Sequence, residues 1–284
     1  MAMWQRRWVG RERRPRLSEA DLRFVVQTVA TQRHDHERVI DLLRDKPDIV
    51  DRMLDDENLF RRLLNEEEAV VRVSPWLLFT VLLRRAARDL AAERFTVERI
   101  GAGERVPVFD APRVAELVRD PAMIDYLAET LASFVRTESA TVYYRSGRRF
   151  RRRTFSDMDV DDMIALAGTV QAEYRFPFYR RIGDICLFIT GVFPEHVPAS
   201  YVPSVATPAA GWRARRQRRA LEEYEEDAQR FYRLAAQMPA ATEFGLDEVL
   251  LKLADNFGLA RKPLNYLTER YIKLHRTKIF GWPD

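Results

Sequence analysis

The residue pattern predicts a mainly α protein with two short β-hairpins, at about 95–109 and 140–155, set between helices. Three observations carry that expectation. Apolar residues recur at helical spacing over most of the 284-residue chain. Cap signals precede several of those runs. The period shortens to two only around Gly101 and Gly147. Composition agrees: 46% hydrophobic and 32% charged residues suit a globular chain, and 11 Gly with 14 Pro are too few for a fibrous or linker-rich one.

The elements follow in order. Ser18, with Asp21 three residues on, reads as a capping box before Leu22, Val25, Val26 and Val29. Val39, Leu42 and Leu43 continue the helical spacing until Lys46-Pro47. Two short amphipathic stretches follow, DIVDRMLDD (48–56) and ENLFRRLLNEEE (57–68), with Glu66, Glu67 and Glu68 read as a surface helix end. Ser74-Pro75 opens a stronger helix through WLLFTVLLRRAARDLAAE, apolar on nearly all sides at first and so expected to be buried. FTVERI, a Gly-containing turn and RVPVF form the first hairpin, with Pro107 at an edge position. Helices are expected at 111–119 and 121–136. ATVYYR (140–145), a Ser146-Gly147 turn and RRFRRRTF (148–155) form the second hairpin. A capped helix starts near Ser156 and runs through DDMIALAGTVQAEY. The remainder reads as helices at about 176–193, 214–237, 246–257 and 263–276, punctuated by Gly258 and Pro263.

A shift of 46 residues lays one helix–hairpin unit on the next, matching Pro75 with Pro121, Ala86 with Ala132, Arg99 with Arg145, Gly101 with Gly147, Arg105 with Arg151 and Phe109 with Phe155. The expected organisation is a basic arm at 1–16, N-terminal helices at 17–73, two related helix–hairpin units at 74–158 and a helical region at 159–284, the whole forming one compact domain.

Charge is unevenly spread. The net charge is only +4, yet residues 1–16 carry six Arg and one Glu, residues 141–153 six Arg and no acid, and residues 212–219 five Arg and no acid. An acidic body with three basic patches can attract polyanions despite a small net charge. The longest apolar runs, 76–83 and 185–194, fall far short of the roughly 20 residues a membrane helix needs. The first residues, MAMWQRRWVGRERRPRL, have no apolar core of a secretory signal. The expected location is cytoplasmic, with no membrane partner.

The second hairpin is the best binding candidate. Pairing around Ser146-Gly147 would set Arg145 opposite Arg148, Tyr144 opposite Arg149 and Tyr143 opposite Phe150, with Arg151, Arg152 and Arg153 extending one strand. Like charges opposite one another cost stability, and guanidinium forks interleaved with Tyr144 and Phe150 offer phosphate contacts and stacking faces. The candidate nucleic-acid-binding residues are therefore Arg145, Arg148, Arg149, Arg151, Arg152, Arg153, Tyr144 and Phe150. A solvated hairpin, or one docked on the acidic body, is the competing explanation. Helix followed by hairpin is also the winged-helix order, but the preceding helix has no basic reading face.

Other features read as structural. In WRARRQRR (212–219), Arg218 and Arg219 face Glu222 and Glu223 at i,i+4 spacing, which favours internal ion pairs on a solvated helix. Asp157, Asp159 and Asp161 resemble the start of a calcium loop, but Asp162 and Gly168 stand where that loop needs Gly and Glu, so helix N-terminal acids explain them better. His34 and His36 lie on different helix faces, and His196 and His275 are isolated; no metal is expected. One cysteine, Cys186, excludes disulfides, and its apolar surroundings predict an inert thiol with a raised pKa. No nucleophile elbow, P-loop or zinc-protease motif is present, so no cofactor and no catalytic residue is assigned.

The segment RRIGDICLFITGVFPE resembles an uncharacterised family of helical bacterial proteins through Arg180, Gly183, Asp184, Leu187, Phe188, Gly191 and Phe193, with Val192 replacing a Phe. The resemblance covers roughly the C-terminal hundred residues and implies a helical fold but no activity. Physically, Asp184 should cap or pair with Arg180 or Arg181, and Gly191 should permit close helix packing or end the helix. The function expected from these readings is a non-catalytic binding protein that contacts DNA or RNA through 143–153. The alternatives are a scaffold that binds a protein partner, or a homodimer through the apolar helices at 76–83 and 185–193, and thirdly a helical small-molecule pocket or enzyme.

Overall fold

Capping sets the first helix. Ser18 Oγ accepts from Asp21 N (3.1 Å) while Asp21 Oδ2 accepts from Ser18 N (3.0 Å), opening α1 (Glu19–Val29). A computed structural model describes residues 17–32, 35–100, 104–135, 139–146, 149–197, 219–273 and 275–281, and for 139–155 it describes the backbone. The expectations for the N-terminal arm at 1–16, for the basic patch at 212–218 and for His34 fall outside the described residues.

The protein is mainly helical, with antiparallel hairpins as its only strands among the described residues. After α1 come α2 (His36–Asp45), α3 (Pro47–Leu54), α4 (Glu57–Asn65), α5 (Glu67–Arg72) and α6 (Pro75–Ala92). The first hairpin pairs β1 (Thr96–Ile100) with β2 (Glu104–Val108), followed by α7 (Ala111–Leu117) and α8 (Pro121–Phe134). The second pairs β3 (Ser139–Ser146) with β4 (Arg149–Ser156), followed by α9 (Val160–Gly168) and α10 (Phe176–Val192). The chain closes with α11 (Leu221–Ala236), α12 (Pro239–Glu243), α13 (Asp247–Asp255), α14 (Phe257–Arg270) and α15 (Arg276–Phe280). The order helix, hairpin, helix thus occurs twice in succession. Its two opening helices begin alike, with N-caps Ser74 and Asp120 each followed by a proline at the first turn.

Contacts divide the chain into two units. The first comprises 1–94, 111–137 and 266–284, the second 95–110 and 138–265. In the first, α6 packs on α7 and α8. Leu77, Phe79, Val81, Leu82, Ala86 and Leu90 are fully enclosed, as are Leu127, Leu131 and Phe134 of α8, and Phe79 stacks on Phe280 at 5.4 Å. Asp21 does double duty here: its Oδ1 accepts from Ser74 N at 2.7 Å, tying the start of α1 to the start of α6.

In the second unit α10 is interior on every side, packed by α9 and α11, with α13 against α11. Two glycines allow this. A Cβ on Gly183 would stand 2.6 Å from the Tyr232 ring, and one on Gly191 would stand 2.8 Å from the Leu264 side chain. Gly191 therefore serves close packing and does not end the helix, which continues to Val192.

Several boundaries differ from expectation. Glu66 closes α4 and Glu67 opens α5, so the three glutamates are a junction and not an end; Glu68 pairs with Arg72 at 3.0 Å. The helix after the second hairpin is capped by Asp159, whose side chain accepts from Asp162 N at 2.9 Å, and it stops at Gly168. Pro263 lies inside α14 and does not begin a helix. The proline forfeits one backbone bond, and the full burial of Ala260 and Leu264 on either side holds the helix through it.

Candidate nucleic-acid interface

The second hairpin departs from its expected register. Ser146 pairs with Arg149, and Gly147 between them lies outside the described residues. Arg145 then lies opposite Phe150, Tyr144 opposite Arg151, Tyr143 opposite Arg152 and Val142 opposite Arg153. The Arg145–Arg148 juxtaposition does not form; each strand arginine has an aromatic, apolar or hydroxyl residue across from it. Of the candidate residues, Tyr144 and Arg145 are on β3, and Arg149, Phe150, Arg151, Arg152 and Arg153 on β4. Arg148 lies outside the described residues.

The base of this hairpin is built into the second unit. Ser156 N donates to Asp162 Oδ2 at 3.0 Å, and Ser156 Oγ accepts from Met158 N at 3.2 Å. The next residue, Asp157, is buried and gripped by Arg181 of α10, whose Nε donates to the Asp157 carbonyl (3.1 Å) and Nη2 to Oδ2 (3.2 Å). The Arg181 side chain is wholly enclosed; desolvation pulls its pKa down to about 10, against the attraction of Asp157, which raises it. One turn on, Asp184 Oδ2 faces Arg180 Nε at 3.6 Å, and Asp184 Oδ1 accepts from Tyr232 OH at 3.0 Å. Asp184 is therefore mid-helix and no cap. Gly183 lets the Tyr232 ring lie against α10 where that hydroxyl can reach the carboxylate.

Asp157 is an ion-pair partner, while Asp159, Asp161 and Asp162 fit the expected helix N-terminus. Arg219 is not paired as expected. It precedes α11 and bridges Asp161 and Asp227, whereas Glu223 accepts from Ala220 N at 2.8 Å.

The first hairpin is held by a parallel device. Asp110, just beyond β2, is buried and accepts from Lys262 Nζ of α14 and, at 2.6 Å, from Thr96 Oγ1. Lys262 also reaches Thr96 Oγ1 (3.1 Å) and Glu98 Oε1 (2.5 Å), with Arg261 Nη2 at 3.5 Å from Glu98 Oε2. The sequence reading missed both anchors. The signal for one was present: two arginines in an apolar run require a buried carboxylate. Lys262 had no comparable signal, because its partners lie more than 150 residues earlier.

Among the described residues no group of three His, Cys, Asp or Glu side chains could hold an ion. Cys186 is fully buried and its thiol is pushed up to about 12 by desolvation. Residues 77–83 and 185–193 are buried within this chain, and Trp76 at the head of the first run is half-buried. No described helix is long and apolar enough to cross a membrane. Comparison with known proteins returned no matching family model, no matching curated protein and no matching solved structure.

Proposed function

We propose that this chain is a non-catalytic cytoplasmic binding protein that contacts nucleic acid through the hairpin Ser139–Ser156. One observation carries the reading: neither strand contains an acidic residue, so no register position sets a carboxylate opposite an arginine. Arg149, Arg151 and Arg153 alternate along β4, which places them on one face of the ladder. Phosphate oxygens are the natural ligands for such a row, and Arg forks bind them strongly. A base held through Asp157 and Arg181 supports the reading further, since a contact hairpin that is preorganised loses less entropy on binding.

The test is fluorescence anisotropy of labelled DNA and RNA with the full chain over a salt series. Affinity should fall steeply with salt, and substitution of Arg149, Arg151 and Arg153 by Ala should abolish it at moderate salt. An absorbance ratio at 260 and 280 nm, before and after nuclease, checks for carried nucleic acid. Absence of binding at low salt, or binding indifferent to salt, overturns the reading.

A further inference from the structure

We infer that the first hairpin is a second contact surface of the same site and that its ligand is single-stranded nucleic acid, with bases stacking on Phe95 and Phe109. The inference rests on the nucleic-acid reading above. Its own observation is the two-sided character of this hairpin. One side, with Thr96, Glu98 and Asp110, is held by Lys262. The other leaves Phe109 at 78%, Val97 at 49% and Phe95 at 43% exposure. These three are among few large apolar side chains that the described residues leave in solvent.

The register arranges this side in rows. Phe95 and Phe109 flank the start of the ladder, their rings edge-on at 6.2 Å; Val97 pairs with Pro107; Arg99 pairs with Arg105 nearest the turn. Arg99, Arg105 and Pro107 are exposed as well. Alternate strand positions lie about 6.7 Å apart, so the arginine row stands roughly 13 Å from the ring row. A single strand laid along the hairpin meets guanidinium at one end and aromatic faces at the other, the combination that holds unpaired bases and their backbone. Duplex bases, stacked on one another, offer no free face to the rings. A lipid surface fits less well, because tip-first insertion would bury the two arginines before either phenylalanine.

The test compares full-length parent, Phe109→Ala, Phe109→Trp, Phe95→Ala/Phe109→Ala and the Arg149→Ala/Arg151→Ala/Arg153→Ala protein. Anisotropy is read on labelled oligo(dT) and on a duplex of equal length at low salt, with thermal melting confirming each fold. Phe109→Ala should weaken oligo(dT) binding about tenfold and the double variant more, with Trp restoring it. Duplex affinity and the salt slope should hold, since no phosphate contact is removed. If Phe109→Ala binds oligo(dT) like the parent while the triple arginine variant loses it, the inference falls and the primary reading stands. If the parent binds neither probe, both fall. Phosphatidylserine vesicles captured by the parent but not by Phe109→Ala, with oligo(dT) binding unchanged, would overturn the inference in favour of a membrane.

Discussion

Each hairpin ends in a buried aspartate held by a cation from a later helix, Asp110 by Lys262 and Asp157 by Arg181, yet their surroundings differ. Arg181 is sealed from solvent, bonded to buried Asp157 and attracted as well by Asp184. Lys262 is met by two carboxylates, of which Glu98 keeps 29% of its side chain exposed. The strands differ in a complementary way. The first ladder carries two acids, Glu98 and Glu104, and one Arg–Arg pair; the second has no acid and sets its arginines opposite aromatic, apolar and hydroxyl residues. The same device therefore holds two surfaces of unequal charge. A buried ion pair gives little net stability, but it fixes where a strand leaves the core.

The sharpest way to break this comparison is to remove the cations. Arg181→Met takes the guanidinium away from buried Asp157 and should cost about 3–5 kcal/mol by denaturant unfolding. Lys262→Met should cost less, about 2–3 kcal/mol, because Glu98 can turn to water. Equal losses would show that the two anchors are not distinguished by enclosure. Next in size, the triple alanine variant at Arg149, Arg151 and Arg153 should lower nucleic-acid affinity roughly hundredfold and reduce the salt slope by about two to three, without lowering the melting temperature.

Packing beneath the second anchor gives a smaller effect. Gly183→Ala drives a methyl into the Tyr232 ring and should cost about 1–3 kcal/mol. Gly191→Ala meets Leu264 at its Cβ, fixed to α14, with the Arg261 carbonyl at 3.4 Å, and should cost a similar amount in paired chemical melts. The least effect concerns Cys186. Its thiol is raised from 9.0 to about 12, so between those pH values the unfolded chain releases a proton that the folded chain keeps, and stability falls as pH rises through that window. At pH 8 native protein should resist iodoacetamide and label only on denaturation; rapid native labelling would contradict the burial.

Local chemistry made much of this fold legible. The Ser18–Asp21 box, the Ser74-Pro75 start and the change of period at the hairpins are short-range signals, read within a few residues. What failed was decided at longer range. The second hairpin sets Arg145 opposite Phe150, two residues from the expected partner, and a shift of that size changes every cross-strand pair along the ladder. Pro263 reads as a helix start locally, but the helix already runs from Phe257, with Ala260 and Leu264 buried on either side of the proline. The candidate residues were found by composition, whereas the anchors that position them needed contacts between distant segments.

The separation within each anchor has a consequence for biosynthesis. Asp157 and Arg181 are 24 residues apart, so the second hairpin can be locked soon after it leaves the ribosome. Asp110 and Lys262 are 152 apart, so the first hairpin waits until the much later α14 has been made. During that wait its phenylalanines stand on an unsecured ribbon, open to chance encounters with other nascent chains.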